Sequence, residues 1–435
     1  MSVLQIGLLL LASFFLMLAL SVPVSISLIV SSLVTVSAAL PIDLSTFVAC
    51  QKMVSGVDSF SLLAVPFFIL TGVLMNTGGI AQRLINLAKA FVGRIPGGLA
   101  HTNIVGNTMF GALSGSAVAA SIAVGGVMLP EEEAAGYDKK FAAAANIASA
   151  PTGLIIPPSG ILIIYAVLSG SSVVGMIMSG YIPGILWCLA CMAVAFIVAE
   201  KNKYPTSERL PASELFKYFV DAIPSILLIV IIIGGISSGI FTATEAAVVA
   251  SVYGIVIGLF VHRELKLEKL WAIFRDNAAF IAGTMFVMAP SKATGQVFAY
   301  LNITKIIANF MFSISTNPYI VLCMIFVIMF IVGMFVQTTP AIVILAPTLL
   351  AVVSQVGIDP IHFGIIMTLA LAIAFVTPPV ALNLFVGSSM TGLSIDKIVR
   401  AFMPFLIGLI VAFFIVSFVP AISLGVLGDW SLTFG

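Results

Sequence analysis

Apolar residues fall in blocks at 3–21, 24–41, 60–77, 98–130, 141–169, 173–199, 218–240, 244–261, 277–300, 318–354, 361–390 and 400–426. About 20 apolar residues carry a helix across a bilayer core, so these blocks predict an all-α polytopic membrane protein with on the order of ten crossings. They lack the period-two alternation of a membrane barrel. Two blocks, 98–130 and 318–354, are too long for one span. Both have polar or Gly/Pro-rich centres, at Gly111–Ser116 and Gln337–Pro340. Such a block reads as a re-entrant hairpin, because non-helical backbone at membrane depth is tolerated only where protein or a cavity surrounds it. The blocks 141–169 and 361–390 are interrupted by Pro157-Pro158 and Pro378-Pro379. Each proline pair removes two amide donors and leaves carbonyls free one turn earlier, so each helix is predicted to be discontinuous.

These landmarks recur at one offset. Gly136 and Gly357, Asp138 and Asp359, Pro157 and Pro378, Pro158 and Pro379, and Pro183 and Pro404 are each 221 residues apart, as are the tips Ser116 and Gln337. A shared offset over this many landmarks marks a duplicated unit of roughly 150 residues. Five crossings separate the first broken helix from the second, and an odd number inverts the second copy. Basic residues test the inversion independently. With the loops at 200–217 and 262–276 cytoplasmic, that side holds fifteen of them: Arg83, Lys89, Arg94, Lys139, Lys140, Lys201, Lys203, Arg209, Lys217, Arg263, Lys266, Lys269, Arg275, Lys397 and Arg400. The other side holds Lys52 and Lys305. The first hairpin then opens to the cytoplasm and the second to the outside, with both termini external. The chain divides into scaffold helices and a first arm (1–94), a first hairpin with its broken helix (95–200), further scaffold helices and a second arm (201–316), and a second hairpin with its broken helix (317–435).

Composition narrows the function. The chain of 435 residues is 61% hydrophobic and 8% charged, against about 25% charged in a soluble domain. Its net charge of +1 excludes a nucleic-acid binder built on bulk positive charge. No basic segment precedes the first apolar block at Val3, so that block is expected to be a span rather than a cleavable leader. Cys188 and Cys191 form a C-x-x-C inside a span with no second pair, which reads as helix packing. His101, His262 and His362 are scattered and suggest no metal centre. The spans hold no G-x-S-x-G, no H-E-x-x-H and no convergent acid pair, which argues against a membrane enzyme.

Inverted repeats with broken helices near the midplane are the architecture of secondary transporters. Freed carbonyls and small hydroxyls suit a hard cation such as Na+, and helix N-termini suit an anion. The tip residues Ser116, Gln337, Thr338 and Thr339 are candidates for substrate binding; close helix packing is the alternative use of small residues there. Ser169, Ser171, Ser172, Ser237 and Ser238 read as packing positions. Lys292 lies in an apolar block. It either meets a substrate anion or snorkels to the outer interface, and the sequence leaves both open. Glu245 after Thr242 reads as a helix cap. The run Glu131-Glu132-Glu133 reads as a solvated cytoplasmic loop. The segments 80–93 and 301–316 read as interfacial arms joining a moving unit to a scaffold.

The segment Asp58–Gly79 resembles the large membrane subunit of tripartite ATP-independent periplasmic (TRAP) transporters, and so do Leu113–Ala119, Ile156–Ser159, Ser238–Ala246 and Thr377–Phe385. The resemblance runs over essentially the whole chain and includes the sialic acid type. It implies a Na+-coupled elevator for an organic anion in the bacterial inner membrane. It also implies a small four-helix membrane partner and a periplasmic substrate-binding protein; some relatives carry that partner fused in front, and with the first apolar block beginning at Val3 it is expected here on a separate chain. Two Na+ sites carry over by resemblance: Gly111, Ser114, Gly153, Ile156 and Pro158 match the first, and Gly333, Ala374, Thr377 and Val380 the second. The chain departs from the family pattern at Ala120 and Gln337, where many relatives are acidic, and at Ala370, where many have Asn. A carboxylate transporter working without a binding protein, and a channel, are the rival readings. The substrate stays open among sialic acid, C4-dicarboxylates, sugar acids and small sulfonates.

Overall fold

A computed structural model describes residues 3–38, 41–206, 211–300, 302–378 and 381–428, and every regular element among them is a helix. Eight helices are long and apolar enough to cross a membrane, nine with one bent pair counted as a span. Large apolar side chains such as Phe216, Val230, Ile407 and Val411 are exposed on the outside, as a lipid-facing surface requires. The chain begins with α1 (Val3–Ala19), α2 (Val24–Ser37), α3 (Ile42–Val57), α4 (Ala64–Thr77) and the amphipathic arm α5 (Ile80–Val92). The first hairpin is α6 (Gly98–Ser114) and α7 (Ala117–Ala134), followed by the broken helix α8 (Lys139–Ser149), α9 (Thr152–Ile155) and α10 (Gly160–Ser169). Next come α11 (Val173–Ser179), α12 (Tyr181–Asn202), α13 (Ala212–Ser237), α14 (Ala243–Val256), α15 (Leu267–Tyr300) and the second arm α16 (Ile303–Ile314). The second hairpin is α17 (Pro318–Phe335) and α18 (Thr338–Val353). It leads to α19 (Pro360–Phe375), α20 (Leu382–Thr391), α21 (Ile395–Phe418) and the short α22 (Ala421–Leu424).

The 221-residue offset is written into the backbone. Gly136 and Gly357 both stand in the left-handed region, at φ 86° and 76°, where a side chain is disfavoured. Two residues on, Asp138 and Asp359 both cap the following helix, accepting from the amides of Lys140 and Ile361 at 2.8 Å. The two copies also run in opposite senses along α21. Lys140, at the start of α8, lines one cavity with Lys397 and Arg400 at the start of α21. His362, at the start of α19, meets the Ser417 carbonyl at the far end of α21 (3.3 Å) and the Ser423 hydroxyl just beyond it (2.6 Å). Arg400 and Ser417 are about 25 Å apart along a helix. The equivalent helices therefore start at opposite ends of the same span, which is the inversion that the charge pattern predicts.

The halves beyond the two breaks cross over. Helix α10 packs on α18 and α19 of the second copy, and α20 packs on α7 and α8 of the first. The outer helices are knitted by buried hydroxyl pairs, Ser32 with Thr294 (2.7 Å) and Thr71 with Ser251 (2.8 Å).

Three expectations need correction. The stretch 42–57 is a helix, α3, packed on α15; its Gln51 and Lys52 break the apolar block without breaking the helix. Residues 262–276 are not one loop, because α15 begins at Leu267. The triplet Glu131–Glu133 belongs to α7. Glu131 and Glu133 pair with Lys89 and Lys139, both at 3.2 Å, but Glu132 is wholly buried. Glu245 forms a reciprocal capping box with Thr242, as its position suggested. Lys292 is half-buried on α15, with its stem lying where a Cβ on Gly56 of α3 would fall.

Candidate ion and substrate site

The first break is built from three glycines and a proline pair. Gly111, near the end of α6, lies against Gly153 in α9 so closely that a Cβ on Gly111 would be 2.6 Å from the Gly153 Cα. The hairpin then turns at Gly115, φ 61°, whose amide donates to the Gly111 carbonyl at 2.9 Å. A Cβ on Gly115 would meet the Pro158 carbonyl at 2.8 Å, so only glycine fits both the turn and the contact. Gly111, Ser114, Gly153 and Pro158 thus converge on one buried cradle. Ile156 is extended just before the Pro157-Pro158 pair, with its side chain against Gly184 of α12.

Hydrogen-bond accounting locates the free acceptors. Pro157 and Pro158 cannot donate to the carbonyls of Gly153 and Leu154. The Ser159 hydroxyl answers Leu154 at 2.6 Å. No donor among the described residues answers Gly153. Ser114 is 3% exposed, and its hydroxyl has only long contacts of 3.4 Å with the Ser116 backbone. A bare carbonyl and an under-used hydroxyl, buried together, are hard oxygen donors of the kind a small cation takes.

The second break follows the same plan more loosely. Gly333 in α17 faces Ala374 in α19, and a Cβ there would be 2.6 Å from the Ala374 methyl. The Ala374 carbonyl, deprived of its helical donor by Pro378, accepts the Thr377 amide at 3.1 Å. The Thr377 hydroxyl donates to the Ile373 carbonyl at 2.7 Å and keeps its lone pairs. Val380 lies outside the described residues.

The four substrate candidates sit at the two tips. Ser116 is the N-cap of α7, and its hydroxyl accepts from the Ala119 amide at 3.3 Å. Gln337 precedes α18 with no side-chain cap and is exposed; Thr338 is buried and Thr339 half-buried. Both tips end at helix N-termini, whose free amides favour an anion.

The buried polar residues beside the first cradle went unread in the sequence. Asn103, Asn107, Gly111 and Ser114 make one stripe on α6, and Asn146, Ser149 and Gly153 make the facing stripe on α8 and α9. Asn107 donates to Asn103 Oδ1 (2.9 Å), Asn146 Oδ1 (2.8 Å) and Ser149 Oγ (3.0 Å), and Asn103 donates to Glu132 at 3.2 Å. The i, i+4 spacing of Asn103 and Asn107 inside an apolar block is the signal that marked them.

A family model described as "Tripartite ATP-independent periplasmic transporter, DctM component" matches residues 11–422. The uncharacterized protein YgiK of Salmonella typhimurium is 45% identical over 413 residues, covering 95% of each chain. The isethionate TRAP transporter permease protein DctMQ of Oleidesulfovibrio alaskensis is 38% identical, covering 94% of this chain and 65% of that one. The C4-dicarboxylate TRAP transporter large permease protein DctM of Pseudomonas aeruginosa is also 38% identical, over 87% of this chain and 88% of its own. Among solved structures, the Alcanivorax borkumensis YdaH transporter superposes with a TM-score of 0.60 over 87% of this chain and 88% of that one. At 15% identity it shares the fold.

Proposed function

Because the chain belongs to the DctM family of large TRAP permeases, which are inner-membrane transport proteins and not enzymes, we propose that it carries an organic anion inward by Na+-coupled elevator transport. In this reading a periplasmic binding protein delivers the anion to the outer face, and a small four-helix membrane subunit completes the scaffold. Relatives named for an anionic sulfonate and for dicarboxylates support an anion as cargo.

The observation that carries the Na+ assignment is the Gly153 carbonyl, buried against Gly111 and left without a donor by Pro157. In the proposed mechanism Gly111, Ser114, Gly153, Ile156 and Pro158 hold one ion, and Gly333, Ala374, Thr377 and Val380 a second. The ions offset the charge of an anion held by the helix N-termini at Ser116 and Gln337–Thr339. Both hairpins and both broken helices then move together against the outer helices. The crossing of α10 and α20 between the copies supports such joint motion.

The test is uptake into proteoliposomes holding this chain, the small subunit and the binding protein, with a labelled ligand of that binding protein. Uptake should need a Na+ gradient and all three proteins. Full uptake without Na+ would refute the coupling. Uptake by this chain alone would favour a carboxylate transporter that needs no binding protein.

A further inference from the structure

Glu132 ends a polar track that starts at the first cradle. Asn103, Asn107, Ser121, Glu132, Asn146 and Ser149 are all fully buried. Four acceptors compete for the two hydrogens of the Asn107 amide, while among the described residues Asn107 Oδ1 and Glu132 Oε1 have no partner. Asn146 donates to the Ser121 hydroxyl and carbonyl, both at 3.1 Å, which fixes its amide and turns its oxygen toward Asn107. The donors therefore point one way, from Asn107 through Asn103 to the Glu132 carboxyl.

The second copy is a built-in control. Moved on by 221 residues, the same six positions are Met324, Ile328, Ile342, Val353, Met367 and Ala370. The duplicated unit therefore packs without this polar set, and burying it costs stability unless every group is satisfied. A role confined to the cytoplasmic end of the first copy follows.

Among the described residues no cation pairs with Glu132. On its own helix Glu131 pairs with Lys89 of α5, and Glu133 pairs with Lys139 at the start of α8. Lys140 pairs with Asp138 at 3.8 Å, and Arg83 of α5 pairs with Glu264 at 2.8 Å. The Tyr137 hydroxyl donates to the Pro205 carbonyl at 2.8 Å. His101 stands two residues from Asn103, on another face of α6. Helices α4, α9 and α20 bring no titratable group. A carboxylate so enclosed is far costlier than the carboxylic acid.

We propose that Glu132 is a proton-binding site at the cytoplasmic end of the first repeat, holding one proton while α6, α7 and α8 are packed as in this structure. Burial, partly opposed by the Asn103 hydrogen bond, pushes the carboxyl up to about 8, and Glu132 lies past the apolar stretch of α7. Any state that opens this end to water frees the proton, so the moving unit exchanges a proton with the cytoplasm. The proposal stands on packing and does not require the Na+ reading.

The test is thermal unfolding of the purified full-length chain from pH 5 to pH 8.5, in choline chloride so that Na+ plays no part. An ordinary carboxyl titrates near 4.5, so between 4.5 and 8 the folded chain binds more protons than the unfolded one, and stability falls as pH rises. Glu132→Gln keeps the acceptor and cannot ionise. Glu132→Val copies the second repeat and serves if the glutamine variant folds poorly. From pH 5 to pH 8.5 the wild-type midpoint should fall by about 3 °C or more relative to either variant. Parallel pH profiles for the wild type and a folded variant would overturn the proposal.

Discussion

Asn383 donates its side-chain amide to the Ile147 carbonyl across 3.1 Å, joining residues 236 positions apart. The bond answers a defect in the sequence. Pro151 stands four residues after Ile147 and has no N–H to give it. The next carbonyl, Ala148, accepts the Trp187 indole N–H at 2.9 Å. The bend between α8 and α9 is thus held open by α20 on one side and α12 on the other.

Removing that donor should loosen both copies at once. Asn383→Ala leaves a buried carbonyl unanswered, worth about 1–3 kcal/mol. A lower thermal midpoint with helix content retained is expected. An unchanged midpoint would mean that α20 is held to α8 by packing alone.

The glycine contact at the first cradle allows a sharper comparison. Gly111→Ala places a methyl 2.6 Å from the Gly153 Cα, and backbone cannot yield as a side chain does. Gly126→Ala, on α7, meets nothing within 4 Å and improves helix propensity. Uptake by the complete transporter should fall at least tenfold for the first and stay within about twofold for the second, by the usual scale of about 1.4 kcal/mol per tenfold. Equal activities would remove Gly111 from the cradle.

Thr377 separates hydroxyl from shape. Thr377→Val keeps the branched side chain and loses the oxygen, so half-maximal Na+ for uptake should rise about tenfold if one ligand worth about 1.4 kcal/mol is lost. Thr377→Ser should restore most of the affinity. A valine variant with wild-type Na+ dependence would show that the hydroxyl serves only its bond to the Ile373 carbonyl.

Lys292 packs its stem over Gly56. Lys292→Met keeps that stem and discards the charge. Uptake within about twofold of wild type is expected, on the same scale. A loss of tenfold or more, with the variant correctly folded and assembled, would return the ammonium to the transport path.

The architecture was legible where backbone chemistry left marks in the sequence. Proline pairs announce broken helices, and Gly136 with Asp138 announces a turn and a cap at the same offset as Gly357 with Asp359. Glu132 was misread because three adjacent acids look solvated. The helix period corrects it: Ala117, Ser121, Val124, Met128 and Glu132 lie on one buried face of α7. Helix α3 was missed because hydropathy alone marks lipid-facing spans, whereas this helix also rests on α15. The partner of Ile147 could not be read at all, since a bond across 236 residues depends on the crossing of α20 rather than on any local pattern.

That crossing has an ancestral corollary. A single unit carrying one hairpin and one broken helix would leave its last half-helix without a seat, and a second subunit would have to supply one. Two such subunits would exchange these segments and form an obligate, oppositely oriented homodimer. Fusion into one polypeptide makes the exchange intramolecular and releases the copies from having identical sequences. Only then can one end of the molecule hold asparagines and an acid while the equivalent positions at the other end hold methionine, isoleucine and valine.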